Sequence, residues 1–153
     1  MIINNFGIYF DEFHIGQNIE HQLSKTIFES DNNLFCLLTM NHHPVHINED
    51  YALNEKHQKI LVVGTLVLSV VVGISVADIS GKAIANLEYN LVKHTHPVFI
   101  GDTIYARSRI LDKSTSSEKS NCGVIFVETH AFNQSGIKVL EFQRKVLIKK
   151  KEI

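Results

Sequence analysis

The stretch Ile60-Leu61-Val62-Val63-Gly64-Thr65-Leu66-Val67-Leu68-Ser69-Val70-Val71-Val72-Gly73-Ile74-Ser75-Val76-Ala77 carries no charged residue, and its reading decides the fold. At about 18 residues it reaches the lower bound for a membrane-spanning helix. Gly64, Thr65, Ser69, Gly73 and Ser75 interrupt the run, and the segments around it alternate in the manner of strands that bury one face. Such strands need an apolar partner. The stretch is therefore expected to be a buried central helix, not a membrane span.

Downstream, Gly81 breaks the chain and four strand-like segments follow, roughly Ala83 to Leu91, Thr103 to Asp112, Gly123 to Asn133 and Lys138 to Lys149. Ile104, Ala106 and Ser108, and Val124 and Phe126, recur with period two. Turns are expected at Gly101-Asp102, at the Ser/Lys-rich Lys113 to Asn121, and at Gln134-Ser135-Gly136. Upstream, Tyr9 to Gly16 reads as a leading segment ending in a turn, and Asn18 to Phe28 as a strand. Ser30 is a suitable cap for a helix from Asp31 to about Thr39, with Leu34, Leu37 and Leu38 on its inward face. Pro44 lacks an amide hydrogen and disfavours helical angles at His43, so Asn41 to His46 is expected to be a loop. Asn48 then caps a short helix running through Tyr51 and Ala52 towards His57. The order of elements gives an α+β protein: one domain over 1–153, core about 8–149, with an antiparallel sheet curled around one helix.

Composition narrows the function. The 153 residues are 44% hydrophobic and 20% charged, with net charge -1, which is ordinary for a globular domain. The basic residues are scattered except for Lys149-Lys150-Lys151, so no footprint for nucleic acid is present. Cys36 and Cys122 lie far apart in apolar surroundings and read as reduced, structural thiols. Met1 to Phe6 lacks the pattern of a signal peptide, so a cytoplasmic location is expected.

The chemistry concentrates in Asn41-His42-His43-Pro44-Val45-His46-Ile47-Asn48-Glu49-Asp50, just ahead of the uncharged helix. A polar loop with a fixed Pro, a downstream His and a helix opening on Gly is what a proton-transfer site with an oxyanion pocket needs. Against this stand plainer roles: Asn41 as a helix C-cap, His46 as a bridge between loop backbone groups, Gly64 as a packing residue. His42 and His46 have a spacing that suits zinc only on one helical face, and Pro44 lies between them, so no metal is expected. His94 and His96 alternate ahead of Pro97 and read as bordering a turn. Ser69 and Ser75 have no triad partners nearby and read as helix packing.

Several pieces together carry a resemblance: Tyr9-Phe10-Asp11-Glu12-Phe13 with Gly16, the Asn41 to His46 loop, Asn48 to Ala52, Val63-Gly64, and Pro97-Val98-Phe99-Ile100-Gly101-Asp102. The chain resembles the MaoC-like dehydratases, single-domain hot-dog proteins that include the (R)-specific enoyl-CoA hydratases. The resemblance implies a homodimer or higher homo-oligomer binding acyl-CoA near the dimer interface, with no cofactor beyond the CoA of the substrate. In that family an Asp, followed at the fifth position by a His, acts on the water added to an enoyl thioester. His46 matches the His; Asn41 stands where the Asp is expected, and His43 where the family often has Asn. The wording Thr39-Met40-Asn41 is similar to a branch acting on branched dicarboxylic acyl-CoAs such as mesaconyl-CoA. The resemblance thus implies His46 as acid and base, Asn41 as a holder of water and the Gly64 amide as donor to the enolate oxygen. It implies His43, Val63 and Thr65 as substrate-binding, Val63 giving a more apolar wall where a His often stands. Lys93, Arg144 and Lys145 are candidates for holding the CoA phosphates. An acyl-CoA thioesterase and a non-catalytic acyl-CoA-binding protein are the alternatives.

Overall fold

In the computed structural model, which describes residues 6–115 and 121–151, a 3-10 turn at Phe10–Glu12 leads into two short strands, β1 (Asn18–Glu20) and β2 (Lys25–Thr26). Three helices follow, α1 (Glu29–Thr39), α2 (Pro44–Ile47) and α3 (Glu49–Leu53), and then the central helix α4 (Gly64–Ile74). A π-helical turn over Val76–Ser80 leads to four long strands, β3 (Ala83–His94), β4 (Thr103–Thr115), β5 (Cys122–Phe132) and β6 (Lys138–Lys149). They form one antiparallel sheet in the order β1-β4-β5-β6-β3, with β2 pairing the first residues of β4. This is the hot-dog fold. Residues 116–120, within the turn expected from Lys113 to Asn121, lie outside the described residues.

Period two along the strands builds the core. Ile104, Ala106 and Ile110 of β4, Ile125, Val127 and Ala131 of β5, and Phe142, Val146 and Ile148 of β6 are all buried, and α4 adds Leu66, Val67, Val71 and Ile74. Burying a side chain of this size stabilises by roughly 1.5–3 kcal/mol. The inward face is interrupted on three adjacent strands by Ser108 and Thr129, which pair with each other, and by Arg144, which stands opposite Val127, two residues along β5 from Thr129. One apolar cluster lies on the α4 side of this polar belt and a second, around Phe10, Phe13 and Ile79, on the other. The belt is hydrogen-bonded: Asp78 holds His21 Nδ1 at 2.7 Å, His21 Nε2 meets Ser108 Oγ at 2.8 Å, and Ser108 Oγ meets Thr129 Oγ1 at 2.8 Å. A carboxylate, an imidazole and a hydroxyl in this order resemble a hydrolytic triad, but Ser108 is 4% exposed, out of a substrate's reach. The arrangement satisfies buried polar groups.

Several expectations are corrected. Asn18 to Phe28 is two short strands, Asn18–Glu20 and Lys25–Thr26, both paired with β4, and between them the His21 ring turns inward to Asp78 and Ser108. α1 starts at Glu29, and Ser30 is not its cap: Asp31 accepts from the Phe28 amide at 2.8 Å. Lys25, at 2.6 Å, and that amide hold the Asp31 carboxyl below its ordinary range. Leu34, Leu37 and Leu38 are 58%, 67% and 74% exposed, while Asn32 and Cys36 face inward. The polar contacts of Asn32, described below, set that rotation. The Asn41 to His46 loop is shorter than expected, since Pro44 occupies the first position of α2, where its missing amide costs nothing. Ile60 to Val63 is extended rather than helical, with Leu61 bridged to Phe99 and the Val62 amide donating to Val98. Among the described residues no helix is long and apolar enough to cross a membrane. Cys36 and Cys122 are buried and form no disulfide, and burial pushes the Cys36 thiol up.

Candidate active site

His46 lies near the end of α2 and is half-buried. Its Nδ1 stands 2.6 Å from the carbonyl oxygen of Leu61. A carbonyl only accepts, so Nδ1 carries a proton, and in the neutral form of the ring Nε2 is the unprotonated nitrogen. That is the tautomer a general base requires. The His46 backbone is fixed as well: its carbonyl accepts from the side-chain amide of Asn32 at 2.9 Å. Asn32 is fully buried, and its Oδ1 accepts from the Val63 amide at 3.0 Å. One side chain therefore ties the segment bearing His46 to the opening of α4.

At that opening Val63 occupies the cap position with no side-chain cap. The Val63 carbonyl accepts from the amides of Leu66 and Val67, which leaves the amides of Gly64 and Thr65 without an acceptor among the described residues. Free amides at the positive end of a helix are donors placed for developing negative charge. A Cβ on residue 64 would stand 3.0 Å from His94 Nε2, so Gly makes room there for a neighbouring ring.

The remaining residues divide plainly. Asn41 follows Met40, which adopts left-handed angles (φ 56), and its amide closes onto the Cys36 carbonyl at 3.1 Å. The helix therefore ends in a Schellman-type closure with Met40, not Asn41, in the left-handed position. The Asn41 side chain has no hydrogen bond among the described residues and is half-buried. His43 caps α2, its Nδ1 accepting from the Val45 amide at 3.3 Å, and its ring meets those of His46 and Tyr51 edge-on at 6.1 Å. Thr65 is exposed beside Gly64. Val63 is buried in the main core, so the wall at Gly64 takes its character elsewhere, from Leu61, His94, Thr95, His96, Pro97 and Val98 around a cavity of about 340 Å³. His46 lines an adjoining cavity of about 280 Å³ with Glu29, Asn33, Lys59 and Phe99. Within one chain His46 and Gly64 thus border neighbouring cavities, with Leu61 between them.

Of the basic candidates, Arg144 is fully buried and bonded to Asn86 and Ser75, which takes it away from any phosphate. Lys145 pairs with Glu88 at 2.8 Å, and Lys93 lies 3.8 Å from Glu141. Ser69 bonds the Thr65 carbonyl and Ser75 the Val72 carbonyl, both within their helix. Among the described residues no cluster of His, Cys, Asp or Glu could hold a metal ion. Two residues near the candidate site were not singled out for it in the sequence: Asn32, for which the only signal is Asn in a helix interior that it disfavours, and His94, read as bordering a turn, whose approach to Gly64 is purely tertiary.

The MaoC like domain family matches residues 12–131. Mesaconyl-CoA hydratase of Cereibacter sphaeroides is 30% identical over 148 residues, covering 97% of this chain and 43% of that protein. The chain spans less than half the length of this relative. An (R)-specific enoyl-CoA hydratase of Rhodospirillum rubrum is 35% identical over 98 residues, 64% of this chain and 66% of that protein. A putative MaoC domain protein dehydratase from Chloroflexus aurantiacus superposes with a TM-score of 0.92 at 30% identity, over 99% of this chain and 43% of that one.

Proposed function

We propose that this chain, which belongs to the MaoC-like domain family, adds water across the double bond of a 2-enoyl-CoA or removes it in reverse. The observation that carries this reading is the fixed tautomer of His46, whose proton is committed to the Leu61 carbonyl so that Nε2 is free to act. His46 Nε2 takes a proton from water as the water oxygen bonds to C3 of the enoyl thioester. The electron pair of the double bond moves to the thioester oxygen, where the Gly64 amide meets the charge. The imidazolium then returns its proton to C2, giving the 3-hydroxyacyl thioester. Asn41, an amide that does not ionise, orients the water.

The relatives named mesaconyl-CoA hydratase and (R)-specific enoyl-CoA hydratase support an acyl-CoA substrate, and the first favours a branched or dicarboxylic acyl group. The reading includes assembly of two copies. It is supported by the division of His46 and Gly64 between adjoining cavities and by β3, an edge strand with Leu87, Tyr89, Leu91 and Val92 exposed. CoA itself belongs to the substrate, and the scheme uses no other cofactor.

The test is a spectroscopic assay of enoyl absorbance with a panel that includes crotonyl-CoA and mesaconyl-CoA. Native turnover that falls by about 10²–10⁴-fold in His46→Ala is the expected result. Release of free thiol without loss of enoyl absorbance would favour thioester hydrolysis, and inactivity in both channels a binding role.

A further inference from the structure

The cavity at the opening of α4 holds an imidazole that the hydration scheme leaves idle. His94 ends β3, and its ring edge lies against Gly64, with Nε2 3.0 Å and Cε1 3.1 Å from the position a Cβ would take. In a helix the Cα–Cβ direction tilts towards the N-terminus, so this edge stands on the side to which the first amides of α4 point. Neither ring nitrogen of His94 has a hydrogen bond among the described residues, and the Gly64 amide has none. Two unused donors face one cavity of about 340 Å³.

We propose that His94 is a second donor to the thioester oxygen, its Nε2–H converging with the Gly64 amide on the atom where charge builds. The proposal rests on the hydratase reading, since only an oxygen that gains charge profits from a second donor. His94 as a whole is exposed, but the ring edge against the opening of α4 is shielded from water, and this desolvation lowers its pKa from the ordinary 6.5 and so favours the neutral ring. Neutrality suits the place: a cation would be repelled by the positive helix end, while a neutral imidazole still donates. It also gives Gly64 a physical reason, because a Cβ would press on the ring and move its donor off the oxygen. A metal shared by His94 and His96 has no third ligand among the described residues.

The test uses the full chain with His94→Phe, which keeps a ring and removes the donor, and His94→Gln, which keeps a donor. Thermal melts confirm that both fold. The expected result is a fall in kcat of about 10- to 100-fold in His94→Phe with KM changed less than about threefold, and most of that loss recovered in His94→Gln. Equal rates in the native chain and His94→Phe overturn the proposal, as does an equal loss in both variants. If the native chain hydrates no member of the panel, the hydratase reading has failed and the contact is judged by binding. Butyryl-CoA, which has no double bond, is titrated into chain carrying ¹⁵N-labelled histidine, the His94 signal being identified by its loss in His94→Phe. A moving His94 Nε2 resonance supports the contact; a stationary one, or no binding, overturns it.

Discussion

The side chain of Asn32 accepts the amide of Val63 across 3.0 Å, joining helix α1 to the start of α4 over 31 residues of sequence. The same side chain donates to the His46 carbonyl at 2.9 Å. In Asn32→Leu a buried N–H and a C=O lose their partners together, and the expected loss is about 2–4 kcal/mol by urea denaturation. Asn32→Asp keeps the acceptor for Val63 and faces the His46 carbonyl with a carboxylate. It is expected to fold and to lose turnover, because the base is displaced while the core stays closed.

Gly123 faces Phe10 so closely that a Cβ would stand 2.4 Å from Cε2 of the ring. Phe10 belongs to the second apolar cluster and is buried, 5% exposed. Gly123→Ala is expected to destabilise by about 1–3 kcal/mol, read as a lowered melting temperature, with the remaining folded protein keeping its activity.

Gly64→Ala has the opposite signature. Its Cβ meets the end of a side chain that swings, so stability is expected to change by less than about 1 kcal/mol while kcat falls. His94→Phe added to Gly64→Ala is expected to cost less than it does alone, because the first substitution has already moved the ring. A double-mutant cycle on kcat measures this, and strict additivity would separate the two residues.

His94 also gives stability a pH dependence of known sign. Its folded pKa lies below the unfolded value near 6.5, so above about pH 7 both states are neutral and the group contributes nothing. As pH falls through 6.5 the unfolded chain takes up the proton first and stability is lost, until the folded pKa is passed. Lys93 on the same strand lies 3.8 Å from Glu141, and Glu141, held below its ordinary range chiefly by Lys138, stays ionised through this window. Urea melts of the native chain and His94→Gln at pH 7.5 and 5.5 check the sign: the native chain is expected to lose more stability on acidification.

The sheet was legible because alternation repeats over four strands and Gly-containing turns punctuate it; β6 runs from Lys138 to Lys149 as read. α1 was misread for the opposite reason: its leucines promise an apolar face, yet the two bonds of Asn32 to distant backbone turn those leucines outward. The left-handed Met40 carries no signal, since that conformation favours Gly or Asn. His46 and Gly64 became candidates through motif spacing and family likeness. Asn32 and His94 were not, because their positions depend on which strands and helices meet.

Arg144 lies buried at the far end of α4, its Nη2 donating to Ser75 Oγ at 2.8 Å and its Nε without a partner among the described residues. The helix is thus grounded at its negative pole by a cation with no carboxylate partner among the described residues, while the pole at Gly64 borders a cavity. The potential there is wired into the core rather than borrowed from the solvent. Salt is therefore expected to slow the encounter with an anionic thioester while leaving kcat unchanged.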